Sequence, residues 1–368
     1  DMAVGSIRQK VIDLGLDEDT FVIFLGDNGT DSPAAGADGL SGGIYSDLPV
    51  RGKKGYKWEG GARIPFIASW ITNNASNAFQ QARPIVANSI EDDLVAIWDV
   101  PVTMLAAAGI SNPAGFGEDG HDLAPYFAGT AGEHRPQEIA IHFPHNRGSN
   151  SGSASYFSWI RKGEMKLIYQ YANNSHELYD LSTDPTESIN LATTDLDTTM
   201  ELTRRLAQML ESEWGFGPLK PTDAVRDSDH VIEIPNTPSV DLDGDGASDT
   251  TEDANRNGLV DVNEIDPDNL DTDADGTPDG AELELGVNPL DSDSFFYLEQ
   301  STLPAGDLQL TWPSQPANTF DILFSPDLSD WTTVHQADYA ADSGSTTSYS
   351  TSLPIGGEKT GFFVVVLQ

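Results

Sequence analysis

Three twelve-residue stretches of this chain repeat one spacing of oxygen-bearing side chains, and that spacing restricts the fold more than any other feature. Asp241–Glu252 reads DLDGDGASDTTE, Asp253–Glu264 reads DANRNGLVDVNE and Asp271–Glu282 reads DTDADGTPDGAE. Each carries Asp or Asn at positions 1, 3 and 5, Gly at 6, Asp at 9 and Glu at 12. Alternate residues of a tight loop point at one centre, glycine permits the sharp turn, and the terminal Glu can close the shell with both oxygens. This is a calcium-loop spacing. It nominates Asp241, Asp243, Asp245, Asp249 and Glu252 in the first loop and Asp253, Asn255, Asn257, Asp261 and Glu264 in the second. In the third it nominates Asp271, Asp273, Asp275, Asp279 and Glu282. Residues 241–293 hold 18 Asp and Glu against one basic residue, Arg256, so without cations the stretch would repel itself.

The same imbalance runs through the whole chain, where 59 Asp and Glu face 19 Lys and Arg for a net charge of -40. Such a chain lacks the basic footprint that nucleic acid requires. It has no cysteine, which excludes disulfides, thiolate zinc sites and a Cys nucleophile within these residues. No apolar run reaches the roughly 18 residues of a membrane-crossing helix.

Texture divides the chain into five segments. Residues 1–137 read as α/β: an amphipathic helix (VGSIRQKVIDLGL), an apolar strand Thr20–Gly26 expected to be buried on both faces of a parallel or mixed sheet, a second strand Ile64–Trp70, and a helix over Leu94–Ile110. Residues 138–220 carry short β runs closed by a helix from Thr198 to Gly215, the pattern of a small antiparallel sheet. Residues 221–240 read as a linker and 241–294 as the calcium repeats. Residues 295–368 alternate as an all-β sandwich does.

Chemistry gathers in two places in the first segment. A buried strand ends at Gly26 and runs into Asp27-Asn28-Gly29, which offers hard oxygens to a divalent cation where α/β sheets collect ligands, and which also reads as a plain turn. Downstream, Arg51, Lys53 and Lys54 sit in a glycine-rich loop followed by Trp58-Glu59-Gly60-Gly61. A local basic cluster in so acidic a chain suits an anionic substrate such as sulfate or phosphate.

Together these motifs resemble the formylglycine-dependent sulfatases related to arylsulfatase A. The resemblance runs through Asp27, Asn28, Gly29, Arg51, Lys54, Gly55, Glu59, Gly60, Gly61, Arg63 and Pro65, continues in DGHDLAPYFAG (Asp119–Gly129), and extends to the YDL and DPTESINL elements near Asp180 and Asp184. It implies part of an alkaline-phosphatase-like α/β fold, Asp27 and Asn28 as ligands of an active-site calcium, and Lys54 as the lysine on the sulfate group. Arg51 and His145 are candidates for substrate contact, and Glu59 and Arg63 for bracing the loop. The acidic block is similar to thrombospondin type 3 repeats, with GVNPLDSDS (Gly286–Ser294) matching their Asn-Pro element, which implies an extracellular, periplasmic or cell-surface location where calcium is abundant.

One departure is large. The family's Cys/Ser-x-Pro-x-Arg nucleophile motif is missing: the Ser-x-Pro stretches at Ser111, Ser314 and Ser352 carry Gly115, Asn318 and Gly356 where the motif has Arg. The expectation is therefore the C-terminal part of a longer calcium- and formylglycine-dependent enzyme, inactive by itself, acting on a sulfated polysaccharide. A related phosphatase or phosphodiesterase and a non-catalytic, calcium-dependent adhesion protein are the alternatives.

Overall fold

The computed structural model describes residues 2–29, 40–45, 48–113, 115, 119–130, 132, 136–146, 155–213, 232–329, 331, 334–352 and 361–368. The chain divides into two compact units, Asp1–Glu233 and Ile234–Gln368.

In the first unit, helix α1 (Met2–Asp13) forms where the periodicity predicts it, yet it buries none of its residues, and Ile7 stays 66% exposed. Strand β1 (Phe21–Leu25) pairs antiparallel with β4 (Phe66–Trp70), from Phe21 opposite Trp70 to Leu25 opposite Phe66. One face of this ribbon is covered: the Phe21 ring meets Trp70 at 5.6 Å and Phe127 at 5.9 Å. The other face presents Phe24 and Ile67, 46% and 60% exposed. The expected parallel or mixed sheet buried on both faces is thus corrected, among the described residues, to a two-stranded antiparallel ribbon covered on one. An apolar run reports what both faces of a strand tolerate; which strand lies alongside is decided elsewhere in the chain.

Between these strands, β2 (Leu40–Tyr45) and β3 (Leu48–Arg51) form a hairpin, and α2 (Glu59–Ala62) follows. Short α3 (Ala78–Ala82) begins at Asn77, whose side chain caps Phe79 and Gln80. Helix α4 (Asp99–Ala107) is shorter than the apolar stretch around it, because the buried Asp99 carboxylate accepts the Ala96 N–H at 2.7 Å and the His121 N–H at 3.0 Å and so defines its start. Gly109, at φ +69°, ends it. Short α5 (Ala124–Phe127) supplies Phe127.

The remainder of this unit matches the expected small antiparallel sheet with one closing helix. Strands β5 (Glu138–Asn146), β6 (Ser155–Lys162), β7 (Met165–Gln170) and β8 (Ser175–Asp180) form a meander in that order. Helix α6 (Leu196–Gln208), capped by the Asp195 side chain on the Thr198 N–H, buries Met200, Leu202 and Leu206. β7 is buried on both faces, with Leu167, Ile168 and Tyr169 all at 0% exposure.

In the second unit the acidic loops carry two short helices, α7 (Asp249–Glu252) and α8 (Asp279–Leu285). Two three-stranded antiparallel sheets follow. One has the order β13 (Thr346–Thr351), β10 (Leu308–Pro313), β9 (Glu299–Thr302); the other β12 (Val334–Ala340), β11 (Thr319–Ser325), β14 (Phe362–Leu367). Leu310 and Trp312 of the first sheet and Phe320 and Ile322 of the second form one core, onto which Leu285 of α8 also packs. The acidic loops and the β strands, separate segments in the sequence, therefore belong to one folded body. Gln315 reinforces this by donating from Nε2 to the Leu283 carbonyl at 2.5 Å. Ile322→Val, which removes one methylene from a site at 0% exposure, is expected to lower the stability of this unit by about 1 kcal/mol in denaturant unfolding.

The segment read as a linker needs a correction at its end. Residues 221–231 lie outside the described residues, but Ile232, Ile234 and Val240 are 4%, 0% and 1% exposed. Pro, Asp and Ser set the segment's composition, and these scattered apolar residues pack all the same. No helix among the described residues is long and apolar enough to cross a membrane.

Candidate functional site

Backbone contact places the Asp27-Asn28 turn. The Gly29 N–H donates to the Gly61 carbonyl at 3.2 Å, and a Cβ on Gly29 would fall inside the backbone of Gly60 and Gly61. A Cβ on Gly60 would collide with the Arg51 and Gly52 carbonyls, and one on Gly61 with the Tyr56 carbonyl. Only glycine allows three chain segments to approach this closely. The Asp-Asn-Gly turn, the basic loop and the Glu-Gly-Gly turn are locked together as a result.

This lock opens a cleft of about 890 Å³ within the first unit. Asp27, Asn28 and Lys54 line it, with Tyr56, Glu59, Arg63 and Arg161 beside them and an apolar wall that includes Trp98, Phe157 and Trp159. The turn and the lysine singled out in the sequence thus share one hollow. Asp27 and Lys54 are exposed, and Asn28 is half-buried.

The other basic residues of the loop are placed differently. Arg51 does not line the cleft: its guanidinium lies 3.7 Å from the centre of the Trp58 ring and donates to the Glu187 carbonyl at 2.7 Å. In this conformation it braces the loop, and direct substrate contact by Arg51 is without geometric support. The Lys53 Nζ sits 6.0 Å from the Tyr56 ring centre. The backbone of His145 lies in β5, but its side chain is outside the described residues. His142 is a strand residue whose Nδ1 meets the Ser158 hydroxyl at 2.7 Å.

Beneath the cleft lies a cluster that the sequence did not announce. Lys166, at 0% exposure, reaches Glu59 Oε1 at 2.8 Å and Glu187 Oε1 at 2.9 Å. Arg161 and Arg63 approach the second oxygen of Glu59, each at 3.5 Å, and the Glu59 N–H donates to Glu187 Oε2 at 2.6 Å. Burial pushes the Glu59 carboxyl up, but Lys166, Arg161 and Arg63 outweigh it and hold the group below the usual carboxylate range. Glu187 goes the other way: burial raises it, Lys166 opposes, and the Glu59 charge adds to the rise. The DPTESINL turn delivers Glu187, because Asp184 accepts the Ser188 N–H at 2.7 Å and the Ile189 N–H at 2.8 Å. A strand lysine at alternate spacing looks solvent-facing in a sequence, and only the stacking of this turn on β7 buries it.

Metal-binding groups separate into two kinds. At Asp27 and Asn28 the side chains offer at most three oxygens, short of the roughly six to eight that calcium takes. Among the described residues Asp27 belongs to no cluster of three or more His, Asp or Glu side chains. These residues alone do not hold the ion. The acidic loops are better provided. Asp241, Asp243 and Asp245 converge, as do Asp271, Asp273 and Asp275. Buried oxygens of Asp243, Asp271, Asp273 and Asp275, and both oxygens of Glu252 and of Glu282, have no hydrogen-bond partner. A buried carboxylate without a partner is costly, and a cation removes that cost. Burial and then the neighbouring carboxylates push Glu252 up to about 8, Glu282 to about 7 and Asp243 to about 6. The residues of the first and third loops fit calcium. The middle loop closes on itself: Asn255 and Asn257 donate to Asp261 Oδ2 at 2.7 and 3.0 Å, and Glu264 accepts the Asn255 and Asp261 N–H groups.

Comparison with known proteins points to sulfatases. Residues 1–110 match the family model described as Sulfatase, and residues 57–213 match the one described as N-sulphoglucosamine sulphohydrolase, C-terminal. Human arylsulfatase A is 28% identical over 261 residues, covering 64% of this chain and 46% of that protein. N-acetylgalactosamine-6-sulfatase of Rattus norvegicus is 34% identical over 125 residues, covering 34% of this chain and 21% of that protein. A solved structure described as a complex with its substrate D-glucosamine-2-N,6-O-disulfate superposes with a TM-score of 0.44 at 19% identity, covering 58% of this chain and 39% of the other. Residues 1–213 are thus similar to sulfatases along their length. The chain spans less than half the length of the curated relatives it matches.

Proposed function

We propose that the first unit is the C-terminal part of a calcium- and formylglycine-dependent sulfatase that hydrolyses sulfate esters on a sulfated glycan. The observation that carries this reading is the shared cleft of Asp27, Asn28 and Lys54 in sequence similar to sulfatases. A sulfate ester is an anion, so a nucleophile reaches its sulfur only where positive charge offsets the repulsion. Lys54 supplies a compact ammonium charge for that purpose, and the apolar wall beside it strengthens the field by keeping the local dielectric low. Calcium, held in part by Asp27 and Asn28, would add Lewis-acid charge, and formylglycine would supply the nucleophile; both would need residues beyond these 368. The exposed apolar side chains of Ile7, Phe24 and Ile67 support a longer enzyme, as covering segments would bury them. The glycan substrate is suggested by the N-acetylgalactosamine-6-sulfatase relative.

In the second unit we read the first and third acidic loops as structural calcium sites, supported by their partnerless buried carboxylates. The block is a thrombospondin type 3-like spacer and the two facing sheets a β-sandwich module. A fold completed by calcium suits the calcium-rich medium outside the cytoplasm, so the protein is read as secreted, periplasmic or cell-surface.

In the full-length enzyme Lys54→Ala is expected to lower kcat/KM on an aryl sulfate by about a hundredfold with an unchanged melting temperature. Turnover within a few-fold of the parent would sink the assignment. Parallel assay on the matching aryl phosphate separates a sulfatase from a phosphatase, and an intact enzyme silent on both esters leaves the adhesion role.

A further inference from the structure

We infer that the first and third acidic loops share a divalent cation and load together, an inference that rests on the calcium reading of these loops and extends it. Asp279 occupies position 9 of the third loop, yet its carboxylate gathers with Asp245 and Glu252 of the first, the three ligand oxygens lying within 4.8 Å of one another. Glu252 is 2% exposed and neither of its oxygens has a hydrogen-bond partner. A buried carboxylate aimed at two others and left unpartnered marks a place for positive charge, and three carboxylates from two loops form a hard-oxygen set suited to calcium.

The link between the loops is physical. Asp279 is oriented from within its own loop, where both of its oxygens accept the Thr272 N–H, at 3.0 and 3.1 Å, and Oδ2 also accepts the Thr272 hydroxyl at 2.6 Å. Thr272 sits between Asp271 and Asp273, so a cation drawn in by those two carboxylates fixes Thr272, and Thr272 fixes Asp279. The loops also touch directly: the Gly280 N–H donates to Asp245 Oδ2 at 2.6 Å, and a Cβ on Gly280 would lie 2.5 Å from the Ala247 nitrogen. Occupying the third loop therefore completes the ligand set of the first, and by thermodynamic reciprocity the reverse holds. The middle loop, closed by its own hydrogen bonds, stands outside the pair.

Amide NMR of the intact chain, titrated with calcium chloride, tests this. The Gly246 N–H donates to Asp241 Oδ2 at 3.1 Å and the Gly276 N–H to Asp271 Oδ2 at 2.8 Å, so each glycine signal reports its own loop. In the parent chain the two signals should move with one midpoint. Asp279→Asn should raise the Gly246 midpoint by about tenfold. Glu282→Gln, which removes a third-loop group and leaves the first loop untouched, should shift Gly246 in the same direction and keeps the test decisive if Asp279→Asn does not fold. A Gly246 midpoint unchanged in Glu282→Gln, with Gly276 displaced, overturns the coupling and leaves calcium binding standing. Neither glycine responding to millimolar calcium overturns both.

Discussion

Lys166→Met is expected to destabilise the first unit by about 3–5 kcal/mol, because it leaves Glu59 and Glu187 buried around a hole where their shared cation was. Glu59 keeps Arg161 and Arg63, so the cost concentrates on Glu187, whose Oε1 loses its partner. The effect has a definite pH sign. The Glu187 carboxyl in the folded protein already sits above its ordinary value of 4.5, and losing Lys166 raises it further. A group raised on folding binds more protons folded than unfolded, so it stabilises at low pH and loses that contribution as pH climbs through the folded value. The deficit of Lys166→Met should therefore be smaller at acidic than at alkaline pH, and Glu187→Gln added to it should recover part of the loss. Denaturant unfolding followed by amide exchange of β7 measures all three. A variant within about 1 kcal/mol of the parent at neutral pH would show that the cluster contributes no net stability.

Chelation should act on the other unit. If the first and third loops each hold calcium at a hundred times its dissociation constant, each site contributes about 2.7 kcal/mol, and EGTA removes the sum. The partnerless carboxylates of Glu252 and Glu282 then face their neighbours with only partial protonation as relief. The loss spreads, because Leu285 of α8 packs on the Trp312 core and Gln315 holds the Leu283 carbonyl. In calorimetry of the intact chain the transition of residues 234–368 should fall in EGTA and return with calcium, while that of residues 1–233 stays put. A second-unit transition indifferent to EGTA would refute structural calcium.

Much of the candidate site was legible in the residues themselves. Spacing alone exposed the acidic loops, because alternate oxygens around a glycine turn are a local property. Asp27-Asn28 and Lys54 were legible as motifs, and the glycines at 29, 60 and 61 were visible without their purpose. That purpose, close backbone contact between distant turns, has no signature along the chain. Arg51 illustrates the converse: its charge suggested an anion, and its neighbours Trp58 and Glu187 determined its direction.

Sequence alone determined what depends on near neighbours: the three loops, the meander and its closing helix, and the sulfatase motifs. Tertiary structure decided what depends on partners far along the chain. It paired β1 antiparallel with β4, buried Lys166 between two glutamates, sent Asp279 to another loop, and packed the end of the supposed linker. Local patterns record which environments a residue tolerates, and the free energy of burying a charge or an apolar face is settled by whatever the folded chain places against it.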